Sequence, residues 1–316
     1  MIISIAGPTA SGKTETAVKL AVRIDGEIIS SDAMQIYKGM DIGTAKASPQ
    51  ERSEAVHHLT DIIKPDEVMS SADFLILASA AAEDILARGK IPVITGGSGL
   101  YHDSLIYSSY DYSAGRTDPQ LRRELESEAE IMGNVYMHER LRAADPEYAA
   151  GVHPNNSRRV IRALEYFILT NQKKSAQKKQ RTFRFEDTLS FGLFCERSVI
   201  YERINRRTDL MMKNGLEDEV RRLYEAGYDK KLPSMQAIGY KELIDYFESR
   251  VTLSEAVGNI KRLSRNYAKR QMTWFGRNED IFWIDTTKKT SDETVQIIEE
   301  KISEFNDNRQ TAERDK

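Results

Sequence analysis

"GPTASGKT", Gly7–Thr14, follows the apolar run Met1–Ala6 and runs into a helical pattern from Lys13 to Ile24. A strand, a G-x-x-x-x-G-K-[ST] turn and a helix together make a phosphate-binding loop. Backbone amides face phosphate oxygens, the lysine adds positive charge, and the hydroxyl can hold a magnesium ion. The expected phosphate site is therefore Gly7, Pro8, Thr9, Ala10, Ser11, Gly12, Lys13 and Thr14, with Thr14 the ligand for Mg²⁺. These residues do not name the phosphate, and the motif by itself fits a nucleotide such as ATP.

Working outward, β-branched runs recur at Glu27–Ser30, His58–Ile63, Ile91–Thr95, Leu189–Phe194 and Ile281–Ile284. Helical patterns at Lys13–Ile24 and Ala72–Arg88 separate the first of them, so the chain predicts βαβ units: an α/β fold with a P-loop NTPase-like parallel sheet flanked by helices. From about Tyr110 to Thr188 the pattern is almost wholly helical. Asp118-Pro119 opens one helix, and "HPNNSRRVIRALEYFILT" carries Val160, Ile161, Leu164, Phe167 and Ile168 on one face of another. The expected organisation is a core over 1–109, a helical insertion over 110–188, and the core resumed over 189–304. The resumed part holds helices near Val199–Asn214, Leu216–Ala226, Ala237–Glu248 and Leu253–Gly276, and a disordered tail is expected over 305–316.

No apolar run approaches the ~20 residues of a membrane span, so no membrane partner is expected and a cytoplasmic location is. The single cysteine, Cys195, excludes an intrachain disulfide and a multi-cysteine zinc site. The formal net charge of −3 conceals two basic stretches. One holds Arg158, Arg159, Arg162, Lys173, Lys174, Lys178, Lys179, Arg181 and Arg184 against the lone acid Glu165; the other holds Lys261, Arg262, Arg265, Lys269 and Arg270 with Tyr267, Trp274 and Phe275 beside them. Such clustering in a mildly acidic chain points to a polyanion such as RNA or DNA.

A switch or motor NTPase needs an apolar strand ending in Asp beside the loop. Here Ile91–Thr95 ends in "GGSGLY", and the strand-end Asp285 lies far along the chain in a capping or turn role. Nucleotide hydrolysis loses ground. Asp32, in "SSDAMQIYKGMDIGTAK", falls at the carboxyl end of the second strand, where open α/β sheets bind ligands, and is the candidate general base. A helix cap is the competing reading of Asp32. Ser98 offers a hydroxyl within a glycine-rich turn, and Arg203 and Arg207, four residues apart on one helix, can face a single anion. His57 and His58 alternate to opposite faces of a strand, which argues against a shared metal.

In order along the chain, "GPTASGKT", "SSDAMQIYKGMDIGTAK", "HHLTD", "ITGGSGLY", "HPNNSRRVIRALE", "RINRR", "MQAIGYKE" and "YAKRQMTWF" resemble the tRNA dimethylallyltransferases of the bacterial type, from about Ile3 to Phe275. The resemblance implies that the phosphate is the pyrophosphate of dimethylallyl diphosphate, bound with Mg²⁺, and that the acceptor is the exocyclic amine of the adenosine just 3′ of the anticodon. It implies catalytic roles for Asp32, Lys13, Thr14 and Arg207, with Arg203 and Arg207 helping the loop to hold the diphosphate. By the same analogy the tRNA anticodon stem-loop meets Asp32, Ala33, Met34, Gln35, Ser98, Arg122, Arg158, Arg159, Val160, Ile161, Arg162, Gln236, Gly239 and Tyr240. A monomer is expected. The family usually has Ser where this chain has Ala33 and Thr where it has Ser98. Two other readings compete: a P-loop kinase of a small metabolite, which leaves the basic stretches unused, and a non-enzymatic RNA-binding module, which gives Lys13 and Asp32 no task.

Overall fold

A computed structural model describes residues 1–109, 118–176 and 182–314. In chain order the elements are β1 (Ile2–Ala6), α1 (Lys13–Arg23), β2 (Gly26–Ser30), α2 (Pro49–Glu54), β3 (His57–His58), α3 (Ser71–Ala87), β4 (Ile91–Thr95) and α4 (Gly99–Ile106). Then come α5 (Pro119–Ala144), α6 (Pro146–Ala150), α7 (Ser157–Thr170), β5 (Thr188–Phe194), α8 (Arg197–Lys213), α9 (Leu216–Glu225), α10 (Tyr240–Phe247), α11 (Leu253–Phe275), β6 (Ile281–Asp285) and α12 (Ser291–Arg314).

The chain divides into two compact units, 1–106 with 183–316, and 107–182. Residues 183–188, expected in the helical insertion, belong with the sheet: the Ile2 amide donates to Asp187 O at 2.7 Å and the Arg184 amide to Ile106 O at 2.8 Å.

Among the described residues six strands form one parallel sheet in the order β3-β2-β4-β1-β5-β6. Every residue of β1 is buried because helices cover both faces, so central strands read as unbroken apolar runs. One face packs Ile3, Ile5, Val93 and Leu193 against Ala17, Val18, Leu20 and Ala21 of α1 and Val295, Ile298 and Ile302 of α12. On the other, Ser4 meets His102 of α4 at 2.6 Å, and Ala6 packs on Phe275 of α11. Because all strands run one way, the segments after β1, β2 and β4 leave from the same edge of the sheet.

Two sequence expectations are corrected here. The strand expected over His58–Ile63 stops at His58, because Leu59 and Asp61 both take left-handed conformations (φ +60°) that no strand accommodates. The tail expected to be disordered from residue 305 is helical as far as Arg314, since Val295, Ile298 and Ile302 anchor α12 and Lys301–Glu304 supports it one turn on.

In the second unit α5 bends at Gly133 (φ +83°, ψ +163°), a conformation outside any helix. Leu125, Met137 and Leu141 of α5 pack on Val160, Ile161, Ala163 and Leu164 of α7. Asp145 accepts from the Tyr148 amide at 3.1 Å, capping α6, and from the Ser175 hydroxyl at 2.6 Å.

Candidate active site

Gly7 leaves β1 at φ +140°, and a Cβ there would lie 2.4 Å from the carbonyl oxygen of Leu193 on the neighbouring strand. Only glycine lets the loop turn this close to the sheet. Ala10 (φ +65°) and Gly12 (φ +93°) complete the turn, and α1 starts at Lys13 with its free amides directed at the cradle. Lys13 Nζ donates back to Pro8 O at 2.6 Å. Burial, then the neighbouring Arg207, pull the Lys13 pKa down to about 7, while the Asp32 charge works the other way. Arg207 Nη1 donates to Thr9 Oγ1 at 3.1 Å; burial lowers its pKa and Asp32 again opposes. The loop, Lys13, Arg207 and Asp32 thus share one electrostatic neighbourhood. Arg203, expected to accompany Arg207, instead donates to Thr286 O at 3.3 Å and reaches Cys195 Sγ at 3.8 Å.

Asp32 caps no helix, because the chain after it makes turns until α2. Its Oδ1 accepts from the Met34 amide at 2.9 Å, a local turn, while Oδ2 lies beside Gly97, where a Cβ would come within 3.2 Å of it. The glycines of "GGSGLY" are packing requirements: a Cβ at Gly96 would meet Ser31 at 2.4 Å, at Gly97 the Gln271 amide at 2.4 Å, and at Gly99 the Trp274 ring at 2.4 Å. Ser98 Oγ accepts from the Ala33 amide at 2.9 Å, so the backbone makes a bond at the position that lacks the usual serine.

The segment after Asp32 is held from beneath. Gln35 accepts from Ser30 Oγ at 2.9 Å and donates to the carbonyls of Thr44 (3.3 Å) and Ala45 (3.2 Å), bracing the loop with the amide expected to meet RNA. Lys46 joins Tyr37 O, Asp41 and Asp61 at 2.5–2.6 Å. Glu219 was not legible as a site residue. Its buried carboxylate accepts from the amides of Asp41 (2.9 Å), Ile42 (2.8 Å) and Gly43 (3.1 Å) and from the Tyr240 hydroxyl at 2.6 Å. One acid among four in an amphipathic helix carries no sequence signal for that task.

Three residues expected to meet RNA, Tyr240, Val160 and Ile161, have buried side chains. Tyr240 is 0% exposed beneath Gly43, with its hydroxyl pushed well above the ordinary phenol value by burial and by Glu219. Val160 (0%) and Ile161 (6%) face the core of the second unit, as helical periodicity requires of the residues between exposed arginines. Phe275 is a core residue. Arg122 is paired with the buried Glu165, which also accepts from the Asp118 amide. Gln236 is exposed and donates to Lys230 O, and Gly239, φ +105°, starts α10. Arg158, Arg159 and Arg162 are exposed on α7, and Lys173 after it. Lys178, Lys179 and Arg181 lie outside the described residues. On α11, Tyr267 donates to Gly97 O at 3.1 Å and Trp274 Nε1 to Asp103 at 2.9 Å, anchoring both side chains, while the Trp274 ring, Lys269 and Arg270 are exposed. Asp285 closes a turn, accepting from the Thr287 amide at 2.9 Å.

A parallel sheet with a glycine-turned phosphate loop at its edge, two cations turned into that loop and a carboxylate beside them define a P-loop α/β protein built for a phosphorylated ligand. Thr14, half-buried at the start of α1, offers one hydroxyl to a hard cation, and diphosphate oxygens and water suit the rest of a Mg²⁺ shell.

Comparison with known proteins narrows the class. The family model described as IPP transferase matches residues 35–279, and that of isopentenyl transferase matches residues 1–61. A tRNA dimethylallyltransferase of Geobacillus thermodenitrificans is 50% identical over 287 residues, 90% of each chain, and that of Bacillus subtilis is 47% identical over 90% of this chain and 91% of its own. A tRNA isopentenylpyrophosphate transferase from Bacillus halodurans superposes with a TM-score of 0.74 at 42% identity over 99% of both chains. A eukaryotic dimethylallyltransferase acting on tRNA gives 0.83 at 30% identity over 96% of this chain and 79% of its own. The chain belongs to the IPP transferase family.

Proposed function

We propose that this chain transfers a dimethylallyl group from dimethylallyl diphosphate to the exocyclic N6 amine of the adenosine 3′-adjacent to the tRNA anticodon, releasing pyrophosphate. What supports this reading is the likeness to the tRNA dimethylallyltransferases together with Lys13 and Arg207 bonded to the phosphate loop and Asp32 beside Gly97 at the same sheet edge. The amine nitrogen forms a bond to the allylic carbon as that carbon's bond to oxygen breaks and the electron pair leaves with pyrophosphate. Lys13, Arg207 and the loop amides meet the negative charge that grows on the departing group. Asp32 takes the proton the nitrogen loses. An aromatic amine is a weak nucleophile, so holding it against the allylic carbon supplies much of the rate.

Mg²⁺ held through Thr14 would add charge neutralisation on the diphosphate when bound. The exposed arginines of α7 are suited to tRNA backbone phosphates. Among the described residues no helix is long and apolar enough to cross a membrane. We place the protein in the cytoplasm, as a monomer. The deciding experiment supplies radiolabelled dimethylallyl diphosphate and unmodified tRNA. Label in the anticodon loop upholds the reading; no label, together with micromolar ATP binding and ATP consumption without RNA, would return the site to a small-molecule kinase.

A further inference from the structure

Gln271 lies on α11, is 4% exposed, and bonds with both ends of its carboxamide. Oε1 accepts from the Thr9 amide of the phosphate loop at 2.8 Å, and Nε2 donates to the carbonyl of Gly97, in the loop after β4, at 2.8 Å. These loops leave the adjacent parallel strands β1 and β4; the first is the phosphate loop, and the second packs on the loop after β2 that carries Asp32. Thr9 carries the bond from Arg207, on the diphosphate side. Gly97 sits against Asp32 Oδ2, and its neighbour Ser98 holds the Ala33 amide, on the acceptor side. A Cβ at Gly97 would come 2.4 Å from the Gln271 amide nitrogen and 3.2 Å from Asp32 Oδ2, so both groups crowd the side of Gly97 where a side chain would stand.

We propose that Gln271 is a positioning residue that sets the spacing between the diphosphate loop and the Asp32 loop. The task needs one acceptor and one donor at a fixed separation on an uncharged, buried group, and a glutamine meets it. Glutamate keeps the acceptor for Thr9 but turns a second acceptor towards the Gly97 carbonyl, which then loses this donor and has its oxygen set against a carboxylate oxygen. Methionine keeps the volume and leaves both loop groups without this partner. Tyr267 also donates to Gly97 O at 3.1 Å, so the acceptor loop keeps one anchor in either variant while its register to Thr9 is released. Displacements of about 1 Å at reacting groups can cost ~10²-fold in rate without a change in what is bound.

The test rests on the prenyl-transfer reading and uses the full chain with Mg²⁺. Single-turnover transfer from labelled dimethylallyl diphosphate to unmodified tRNA is measured for wild type, Gln271→Glu, Asp32→Asn and the double variant, with pyrophosphate and tRNA affinities alongside. The expected result for Gln271→Glu is a rate lower by ~30-fold or more, with both affinities within about threefold of wild type. In the Asp32→Asn background the same change should cost less than about threefold, because the rate no longer depends on where the carboxylate stands. If Gln271→Glu does not fold, Gln271→Met is read for the same split. A wild-type rate, a loss of ligand affinity as large as the loss of rate, or full additivity with Asp32→Asn overturns the proposal. A wild type that moves no label to tRNA sinks the functional reading instead, so the two failures are distinct.

Discussion

The phosphate loop and α7 both carry positive charge, and they carry it in opposite ways. At the loop the cations turn inward: Lys13 folds onto Pro8 O, Arg207 onto Thr9, and burial costs Lys13 part of its basicity. On α7, Arg158, Arg159 and Arg162 point to solvent from a helix whose other face is the unit's core. A desolvated cation acts strongly on one anion at short range, whereas solvated ones act weakly, singly and additively on a long polyanion. The first arrangement suits charge development in a reaction and the second suits grip.

The comparison breaks most sharply at Lys13. Lys13→Ala is expected to lower prenyl transfer by ~10³-fold while leaving tRNA affinity within a few fold, measured under single-turnover conditions and by filter binding. Equal losses of both would mean that the loop is also the RNA grip. Asp32→Asn keeps the shape and removes the proton acceptor, so a fall of ~10²-fold or more in the same assay is expected with unchanged tRNA binding. A near-wild-type rate would leave Asp32 with only its turn at Met34.

On α7 the expectation inverts. Replacing Arg158, Arg159 and Arg162 together by alanine should weaken tRNA binding roughly tenfold or more and flatten its salt dependence by two to three in slope, with chemistry on bound tRNA unchanged. Ile161→Ala, between them in sequence, should cost about 2–5 kcal/mol of stability in the second unit and leave the salt slope alone. An unchanged slope in the triple variant would make the α7 arginines a solvated face only.

The smallest effect is a pH linkage at Lys13. Its pKa in the free protein is about 7, below the ordinary lysine value, so the ammonium is lost as pH rises through about 7. A bound diphosphate favours the ammonium, so binding above that pH takes up a proton, and affinity falls with rising pH by at most about tenfold per unit. Titration calorimetry of pyrophosphate with Mg²⁺ in buffers of different ionisation enthalpy should register the uptake in wild type and not in Lys13→Arg. The stability term has the opposite sense: between about 7 and the ordinary lysine value the unfolded chain holds more protons, so stability rises with pH across that window.

Local chemistry determined a good deal of this protein. The strand, glycine turn and Lys-Thr at Met1–Thr14, the helical stripe of α7 and the Asp118-Pro119 start of α5 are all properties of residues within a turn or two of one another, and such patterns are written in the sequence. The position of Asp32 at a strand end was legible for the same reason. Tertiary structure decided the rest. Tyr240 lies in the core because Glu219 and Gly43 close over it, and Arg122 finds its partner in Glu165, 43 residues on. The strand at His58 ended because Leu59 and Asp61 were drawn into left-handed conformations. Gln271 meets Thr9 across 262 residues of chain. A hydrogen bond at that separation has no periodicity to announce it, because its two partners become neighbours only when α11 packs on the sheet edge that β1 and β4 share.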